Sequence, residues 1–384
     1  MRVARTPKIF LASLVMVLLA ACGGSSSSPT GPGAMTVHLV DGPLAGYQEL
    51  NVHIVSVEIL GSGGWITLGT PDRTINLLRL VGGVEESLVG GATLPAGHYG
   101  QMRLMLGAGN TVKLADGTVQ PLTVPSGLQT GIKLVVSFDV APGTTKDAWI
   151  DFDAAHSLLV VQAGASGQYH LRPTVWAYDK LVTGSIHGTL TDAAGATPLA
   201  GATVFAETLD LTGSPVYARS TVTDASGAYT LDLLPTGATY YVVSQPVTGT
   251  TTLKVYGAKA SDGFALSVAT PVFTYSAAFT AVPATGGLTG AITPLASSTQ
   301  SDQVQFLQSL PTASGSHPFI VRTVMATQGT TTETYAFDLV PPGAYALRGQ
   351  RTTLAPDGTT STSTSAVQPA TVVAGAPVTA NLAL

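Results

Sequence analysis

Four side chains between residues 147 and 153 form the densest group of potential ligand-binding residues in the chain. The group consists of Asp147, Trp149, Asp151 and Asp153. They occupy every second position, and alternate residues of a β-strand point to opposite faces. The spacing therefore predicts a solvent-facing surface of carboxylates around a tryptophan, with Ile150 and Phe152 pointing into the core.

Three interpretations of this face stay open. It could be a solvated edge strand, on which acidic side chains prevent pairing with another sheet. It could bind a sugar, with Trp149 stacked on the ring and the carboxylates accepting its hydroxyl hydrogens. It could bind calcium, which prefers oxygen ligands, although we do not favour calcium. Asp151 and Asp153 are the metal candidates, and Asp41 would join them unless it only caps its Asp-Gly-Pro turn.

Sequence motifs of known catalytic sites are absent. The chain has no H-E-x-x-H helix, G-x-S-x-G elbow, P-loop or G-x-G-x-x-G turn. Its seven histidines are scattered, without the spacing of two to five residues that a local zinc site uses. The sequence therefore predicts a protein that is not an enzyme. The alternative is a hydrolase whose site is assembled from distant residues.

Cys22 is the only cysteine among the 384 residues. It follows a leader that has three cationic residues and then an apolar run over residues 9–21. This layout resembles a bacterial lipoprotein signal peptide, here residues 1–21. The resemblance implies cleavage before Cys22 and a covalent lipid on its thiol, with no other cofactor. An ordinary secretory signal with an incidental cysteine is the alternative.

The residues after the leader predict how the protein is held at the membrane. An aspartate directly after the lipidated cysteine would favour retention in the inner membrane. This chain has Gly23 at that position, which favours the outer membrane of the cell envelope. Residues 22–34 are rich in Gly, Ser and Pro and form a flexible tether. Only 10% of residues are charged and the formal net charge is −5. This balance argues against nucleic acid and against electrostatic binding to anionic lipid, which leaves the lipid anchor as the contact with the membrane.

Short β-branched runs, separated by Gly, Pro, Asp and Asn, predict an all-β protein. The apolar phase slips between residues 50 and 60, which indicates a β-bulge. A turn of the form Leu/Val-Pro-x-Gly followed by tyrosine occurs three times, at residues 94–99, 234–240 and 340–345. The repeat predicts three consecutive sandwich domains, Ig-like or prealbumin-like, over residues 35–180, 183–283 and 286–384. Each is long enough to bury its own core, so we expect three independent units.

The middle unit carries the most specific motifs, namely GTLTD at residues 188–192, PLAGATV at 198–204 and TVTDASGAY at 221–229. It resembles a carboxypeptidase regulatory-like domain, a prealbumin-like sandwich grouped with carbohydrate-binding-like folds. The resemblance implies a spacer or interaction module. In each Thr-Asp-x-x-Gly segment the aspartate is expected to cap a turn and the glycine to be left-handed. Residues 286–384 resemble a degenerate second copy.

The first unit contains VHLVDGP at residues 37–43, LPAG at 94–97, PLTVPSG at 121–127 and DFDAA at 151–155. These motifs resemble a bacterial lipoprotein domain known as domain of unknown function 4382. The resemblance implies a class of protein but no activity.

The sequence as a whole predicts a non-enzymatic, envelope-anchored lipoprotein that is a binding or structural module for envelope glycans or proteins. The alternative is a carbohydrate- or calcium-binding protein with its site on the first unit. The hydrolase is the third possibility.

Overall fold

The computed structural model describes residues 31–42, 47–81, 83–124, 130–161, 168–171, 175–179, 183–249, 253–297, 300–354 and 360–384. The leader, Cys22 and most of the tether lie outside these ranges. Apart from a four-residue α-helix, α1 (Ala154–Ser157), and a 3₁₀ turn over Leu77–Arg79, the regular structure in these ranges is β-strand. The predicted all-β class is confirmed. No helix in the described ranges is long and apolar enough to cross a membrane.

The first unit is a sandwich of two sheets around one apolar core. Its strands are β1 (Gly33–Val40), β2 (Tyr47–Gly61), β3 (Gly64–Gly69), β4 (Arg73–Asn76), β5 (Glu86–Leu94), β6 (Gly97–Leu106), β7 (Thr111–Leu114), β8 (Val119–Thr123), β9 (Ile132–Val140), β10 (Thr145–Asp151), β11 (Leu158–Val161), β12 (Gln168–Leu171) and β13 (Trp176–Asp179). One sheet has the order β13-β10-β1-β5, and β1 and β10 are parallel. The other has the order β11-β12-β8-β7-β2-β6-β9.

The long strand β2 contains the predicted bulge. Alternate residues from Leu50 to Ile54 are buried, and Val57 and Ile59 continue the buried face in a shifted phase. The register against β6 shifts between Ile54 and Ser56. The extra residue lets one strand keep an apolar face towards the core along its whole length.

The middle unit is a second sandwich, with its own buried core. Its strands are β14 (Thr183–Asp192), β15 (Thr203–Leu209), β16 (Pro215–Val222), β17 (Ala228–Pro235), β18 (Thr239–Ser244), β19 (Val247–Thr248), β20 (Lys254–Val255), β21 (Lys259–Ala260), β22 (Phe264–Ala265), β23 (Val272–Thr274) and β24 (Ala277–Phe279). The main sheets have the orders β17-β14-β23 and β16-β15-β18-β21.

The two Thr-Asp-x-x-Gly segments of the middle unit are turns capped by their aspartates. Asp192 accepts a hydrogen bond from the Ala194 amide, and Asp224 accepts one from the Ser226 hydroxyl and one from its amide. These bonds lower the pKa of both carboxyls. Gly227 has the expected positive φ of 75°, whereas in the first turn Ala196, and not the glycine, is left-handed.

The third unit has the strands β25 (Gly286–Thr293), β26 (Gln300–Thr312), β27 (Gly315–Met325), β28 (Thr327–Gln328), β29 (Glu333–Val340), β30 (Gly343–Leu354), β31 (Thr360–Thr364), β32 (Gln368–Val372), β33 (Pro377–Thr379) and β34 (Leu382–Ala383). Its sheets have the orders β33-β25-β29-β28 and β27-β26-β30-β31. The predicted unit boundaries stay predictions; β14 begins at Thr183 and β25 at Gly286.

The repeated Pro-Gly-Tyr turn has the same role in all three units. It ends β5, β17 and β29 and begins β6, β18 and β30, and in each case it carries the chain from one sheet of the sandwich to the other. Tyr99, Tyr240 and Tyr345 are buried and donate their hydroxyl hydrogens to the carbonyls of residues 95, 235 and 341. The tyrosine thus closes the corner with a side-chain hydrogen bond back to the proline.

The three units are joined by buried contacts. β11 of the first unit pairs with β28 of the third through Val161 and Gln328, so that one 14-stranded sheet runs through both units. Phe205, Tyr241 and Val243 of the middle unit share a buried cluster with Phe319 of the third. The expectation of independent units is therefore wrong, because residues that would be surface in an isolated sandwich form a core with the neighbouring one.

Candidate functional site

The phase predicted for β10 is correct. Ala148, Ile150 and Phe152 lie in the core of the first unit, and Trp149 and Asp151 point to the opposite face. Asp147 is exposed and accepts a hydrogen bond from the Thr36 hydroxyl. The sequence therefore identified correctly which side chains face away from this core.

The predicted solvent exposure is wrong for the other three residues of that face, Trp149, Asp151 and Asp153, which are buried. β10 is an interior strand between β1 and β13, not an edge strand. Trp149 is only 6% exposed and packs against Val40 and, from the middle unit, Leu233. Its ring stacks on His38 with centroids 4.8 Å apart, and its indole nitrogen donates to Glu85 at 2.7 Å. The face is covered because the middle unit is seated on it.

Asp151 forms the main polar contact across this first–middle joint. A guanidinium nitrogen of Arg219, in β16, lies 2.6 Å from its carboxylate, and both side chains are buried. Asp153 follows the strand with a positive φ of 39° and is also buried. Arg219 thus supplies positive charge where the calcium interpretation required a cation. Ligand binding by Asp147, Trp149, Asp151 and Asp153 stays a prediction, and it would require this joint to open.

Asp41 lies at the same joint, and the turn that it was predicted to cap continues into residues 43–46, which lie outside the described ranges. One carboxylate oxygen accepts from the Ala154 amide at 2.7 Å, which ties the end of β1 to α1. Burial, and next to it the charges of Asp151 and Asp153, raise the pKa of Asp41 although that hydrogen bond lowers it. In the described part of the chain, no three His, Cys, Asp or Glu side chains are grouped so that they could hold a metal ion.

The joint encloses a cavity of about 160 Å³. Its walls include Asp41, Trp149, Arg219, Thr221 and Asp232. Ligand pockets generally measure about 300–1,000 Å³, so this cavity suits a few ordered waters better than a sugar ring. Waters would also satisfy the Thr221 hydroxyl, which is buried without a hydrogen-bond partner in the described structure.

A hydroxyl–imidazole pair lies next to this cavity. The Ser185 hydroxyl is 2.9 Å from one ring nitrogen of His187, and the Thr230 hydroxyl is 3.1 Å from the other. In a hydrolytic triad a carboxylate orients that second nitrogen. Here a neutral hydroxyl occupies the position, so the geometry gives no support to a nucleophilic serine.

A cleft of about 1,130 Å³ lies where all three units meet, and we call it the three-unit cleft. The first unit contributes Tyr47 and Tyr169, the middle unit Tyr217 and Gln245, and the third Arg322. No local sequence pattern indicated it, because its walls come from segments far apart in the chain.

Tyrosine rings and polar side chains both line the cleft. Tyr47 and Tyr169 meet edge to face with centroids 6.4 Å apart, and burial raises the pKa of Tyr47 to about 12. Gln245 is buried beside the Tyr345 hydroxyl; burial raises the pKa of Tyr345, while the contact with the Gln245 side chain lowers it. Arg322 is fixed by donating to the carbonyls of Asp338 and Leu339. The cleft is therefore mostly apolar, with several aromatic rings and some hydrogen-bonding groups in its walls.

Likenesses to solved structures are weak. A Bacillus anthracis TIE protein is 13% identical over 91% of this chain and 50% of its own length, with a TM-score of 0.19. A streptococcal ancillary pilin is 10% identical over 91% of this chain and 98% of its own (TM-score 0.20). The shaft pilin spaA from Lactobacillus rhamnosus GG is 14% identical over 52% of this chain and 97% of its own (TM-score 0.20). TM-scores of this size carry no argument about function, so function is argued from the residues of this chain. The chain spans half the length of the TIE protein.

Family models match two of the three units. No curated protein matches the chain. Residues 32–173 match the model described as a domain of unknown function (DUF4382), and residues 185–269 match the carboxypeptidase regulatory-like domain. Residues 286–384 lie beyond both matches. The order is the one that the motifs predicted: the chain carries a DUF4382 domain followed by a carboxypeptidase regulatory-like domain.

Proposed function

We propose that this protein is a non-enzymatic, lipid-anchored component of the cell envelope that acts as a binding or structural module, with an envelope glycan or protein as its partner. The three-unit cleft is the observation that supports this proposal most directly. Its tyrosines offer apolar surface to a sugar ring or side chain, and polar side chains such as Gln245 also line it. Its walls are held together by buried joints, so little ordering would be needed on binding.

The anchor rests on the sequence around Cys22. A lipid on that cysteine and a tether of about a dozen residues would hold the body roughly 20 Å from the membrane surface. The outer membrane is the proposed location. The low charge of the chain argues against electrostatic attachment to anionic lipid.

Replacing Cys22 by serine is expected to move the protein from the membrane fraction to the soluble fraction. Serine cannot carry the thioether-linked lipid, and one acyl chain or none binds a bilayer only weakly. Metabolic labelling with a fatty acid, followed by detergent partitioning, measures the effect. A Cys22→Ser protein that still sediments with membranes would contradict the proposed anchor.

Binding in the three-unit cleft is tested with Tyr169→Ala. We expect the variant to lose about two- to tenfold in affinity for any glycan that the wild type binds on an array of envelope oligosaccharides, because stacking on an aromatic ring supplies about 0.5–1.5 kcal/mol. Tyr275→Ala is the matched control, since Tyr275 is a half-buried tyrosine outside the cleft. Equal losses in both variants, or a wild type that binds no glycan on the array, would remove the support for a glycan partner.

A further inference from the structure

Each of the two joints of the middle unit contains one carboxyl group that is buried and incompletely hydrogen-bonded. Asp41 lies at the joint with the first unit and is 3% exposed, and Glu207 lies at the joint with the third unit and is fully buried. One oxygen of each has no hydrogen-bond partner in the described structure. Two joints of unrelated sequence thus share the same unusual feature.

The surroundings of Asp41 are mostly acidic. Asp151 and Asp153 of its own unit raise its pKa, and Glu85 and, from the middle unit, Asp232 line the same cavity. The facing cation is Arg219, which is engaged with Asp151. His38 lies nearby, 3.3 Å from Glu85. The field at Asp41 therefore disfavours a negative charge.

Glu207 is held by the backbone of the third unit. One of its oxygens accepts from the Ile320 amide of β27 at 3.0 Å. Tyr217 and Tyr241 are opposite it on the neighbouring strands. Arg348 of β30 is the facing cation, but its guanidinium donates to the Gln305 side chain and the Pro215 carbonyl. Asp210 also interacts with Arg348.

An ionised carboxylate in either position would lose its hydration without gaining a full set of donors. That loss costs several kcal/mol, whereas a neutral carboxyl loses much less. Burial accordingly raises the pKa of both groups well above the ordinary values. Backbone hydrogen bonds from Ala154 and Gly42 oppose this for Asp41, and the Ile320 amide and the charge of Arg348 oppose it for Glu207. When a joint opens, water reaches the carboxyl and its pKa returns to the ordinary range.

We propose that Asp41 and Glu207 are protonated latches: the middle unit is held against both neighbours in mildly acidic medium, and loss of a proton from either carboxyl loosens its joint. Opening the first joint would uncover Trp149 and Asp151, and opening the second would change the walls of the three-unit cleft. The envelope outside the inner membrane shares the pH of its surroundings far more closely than a cytoplasm does. The device would therefore link the shape of the protein to external acidity.

The sign of the effect follows from linkage. Each closed joint binds its proton more tightly than the open joint, so its stability is complete below the open-state pKa. Stability is lost as the pH rises through the closed-state pKa. Between those two values the equilibrium constant for opening increases about tenfold per pH unit, because one proton is released.

Amide hydrogen exchange of the full mature chain tests the proposal at single residues. After correction for intrinsic chemistry, exchange of the Ile320 and Ala154 amides is expected to accelerate about tenfold per pH unit between the open-state and the closed-state pKa of the carboxyl at each joint. Glu207→Gln should make the rate at Ile320 independent of pH, and Asp41→Asn should do the same at Ala154. Each replacement keeps an oxygen that accepts the amide hydrogen. Asp139→Asn, at an exposed carboxyl, should behave like the wild type.

Two results would overturn the proposal. The first is a wild type whose corrected exchange at both amides does not change with pH. The second is a Gln or Asn variant that keeps the full pH dependence at its own joint. If a variant fails to fold, carbon-13 titration of labelled Asp and Glu carboxyls in the wild type decides: an Asp41 and a Glu207 that titrate at ordinary values contradict the latches.

Discussion

Arg219→Met is expected to lower the free energy of unfolding by about 3–5 kcal/mol, the cost of breaking a buried ion pair by removing one partner. The substitution keeps an unbranched apolar stem but removes the guanidinium that lies 2.6 Å from Asp151. Asp151 would then remain buried beside Asp41 and Asp153, so three carboxyls would share a site without their cation. Urea denaturation at neutral pH measures the loss.

Arg73→Met is the matched control for Arg219→Met. Arg73 pairs with Glu86, but both side chains are more than one-third exposed, and such pairs contribute about 0–1 kcal/mol. The double variant Asp151→Leu with Arg219→Met should recover much of the lost stability, since an apolar pair of similar volume can replace a buried ion pair. Equal, small effects of Arg219→Met and Arg73→Met would contradict the closed first–middle joint.

Glu333→Gln is expected to flatten the pH dependence of stability. Glu333 lies in β29, fully buried, next to Asp302, which Arg351 engages with two nitrogens. Burial and the adjacent Asp302 carboxylate raise the pKa of Glu333 to about 8, although Arg351 lowers it. A neutral Glu333 can donate its hydrogen to Asp302, and one arginine then balances the one remaining charge.

The pH window follows from that pKa. The folded protein holds the proton more tightly than the unfolded chain, so this contribution is complete below about pH 4.5 and is lost as the pH rises through about 8. Between these two pH values, the free energy of unfolding of the wild type should fall by about 1.4 kcal/mol per pH unit more than that of Glu333→Gln. Glutamine can still donate to Asp302, so the variant should fold. Glu86→Gln, at a partly exposed site, should keep the wild-type dependence of unfolding free energy on pH. A Glu333→Gln variant that also keeps this dependence would show that Glu333 does not cause it.

Local features of the fold could be predicted because they depend on neighbouring residues. Alternation set the phase of β10, and the shift of alternation located the bulge in β2. The Pro-Gly-Tyr corners and the aspartate-capped turns are also short-range, since each is closed by a hydrogen bond that spans at most five residues.

The joints could not be predicted, for the opposite reason. Asp151 and Arg219 are 68 residues apart, and Glu207 and Ile320 are 113 residues apart. One signal was present but not used: Arg219 and Glu207 are charged residues inside strands of a chain in which only 10% of residues are charged. A charge in the interior of a strand indicates either a solvated face or a buried partner. Only the tertiary structure distinguishes the two.

The buried joints are expected to make the three units unfold as one body. Differential scanning calorimetry of the full chain measures this, because separate domains unfold separately while a joined body unfolds together. We expect a single transition in mildly acidic buffer, with equal calorimetric and van't Hoff enthalpies. Phe319→Ala, which removes a ring shared by the middle and third units, should shift that whole transition to lower temperature. Two or three resolved transitions, of which Phe319→Ala moves only one, would contradict it.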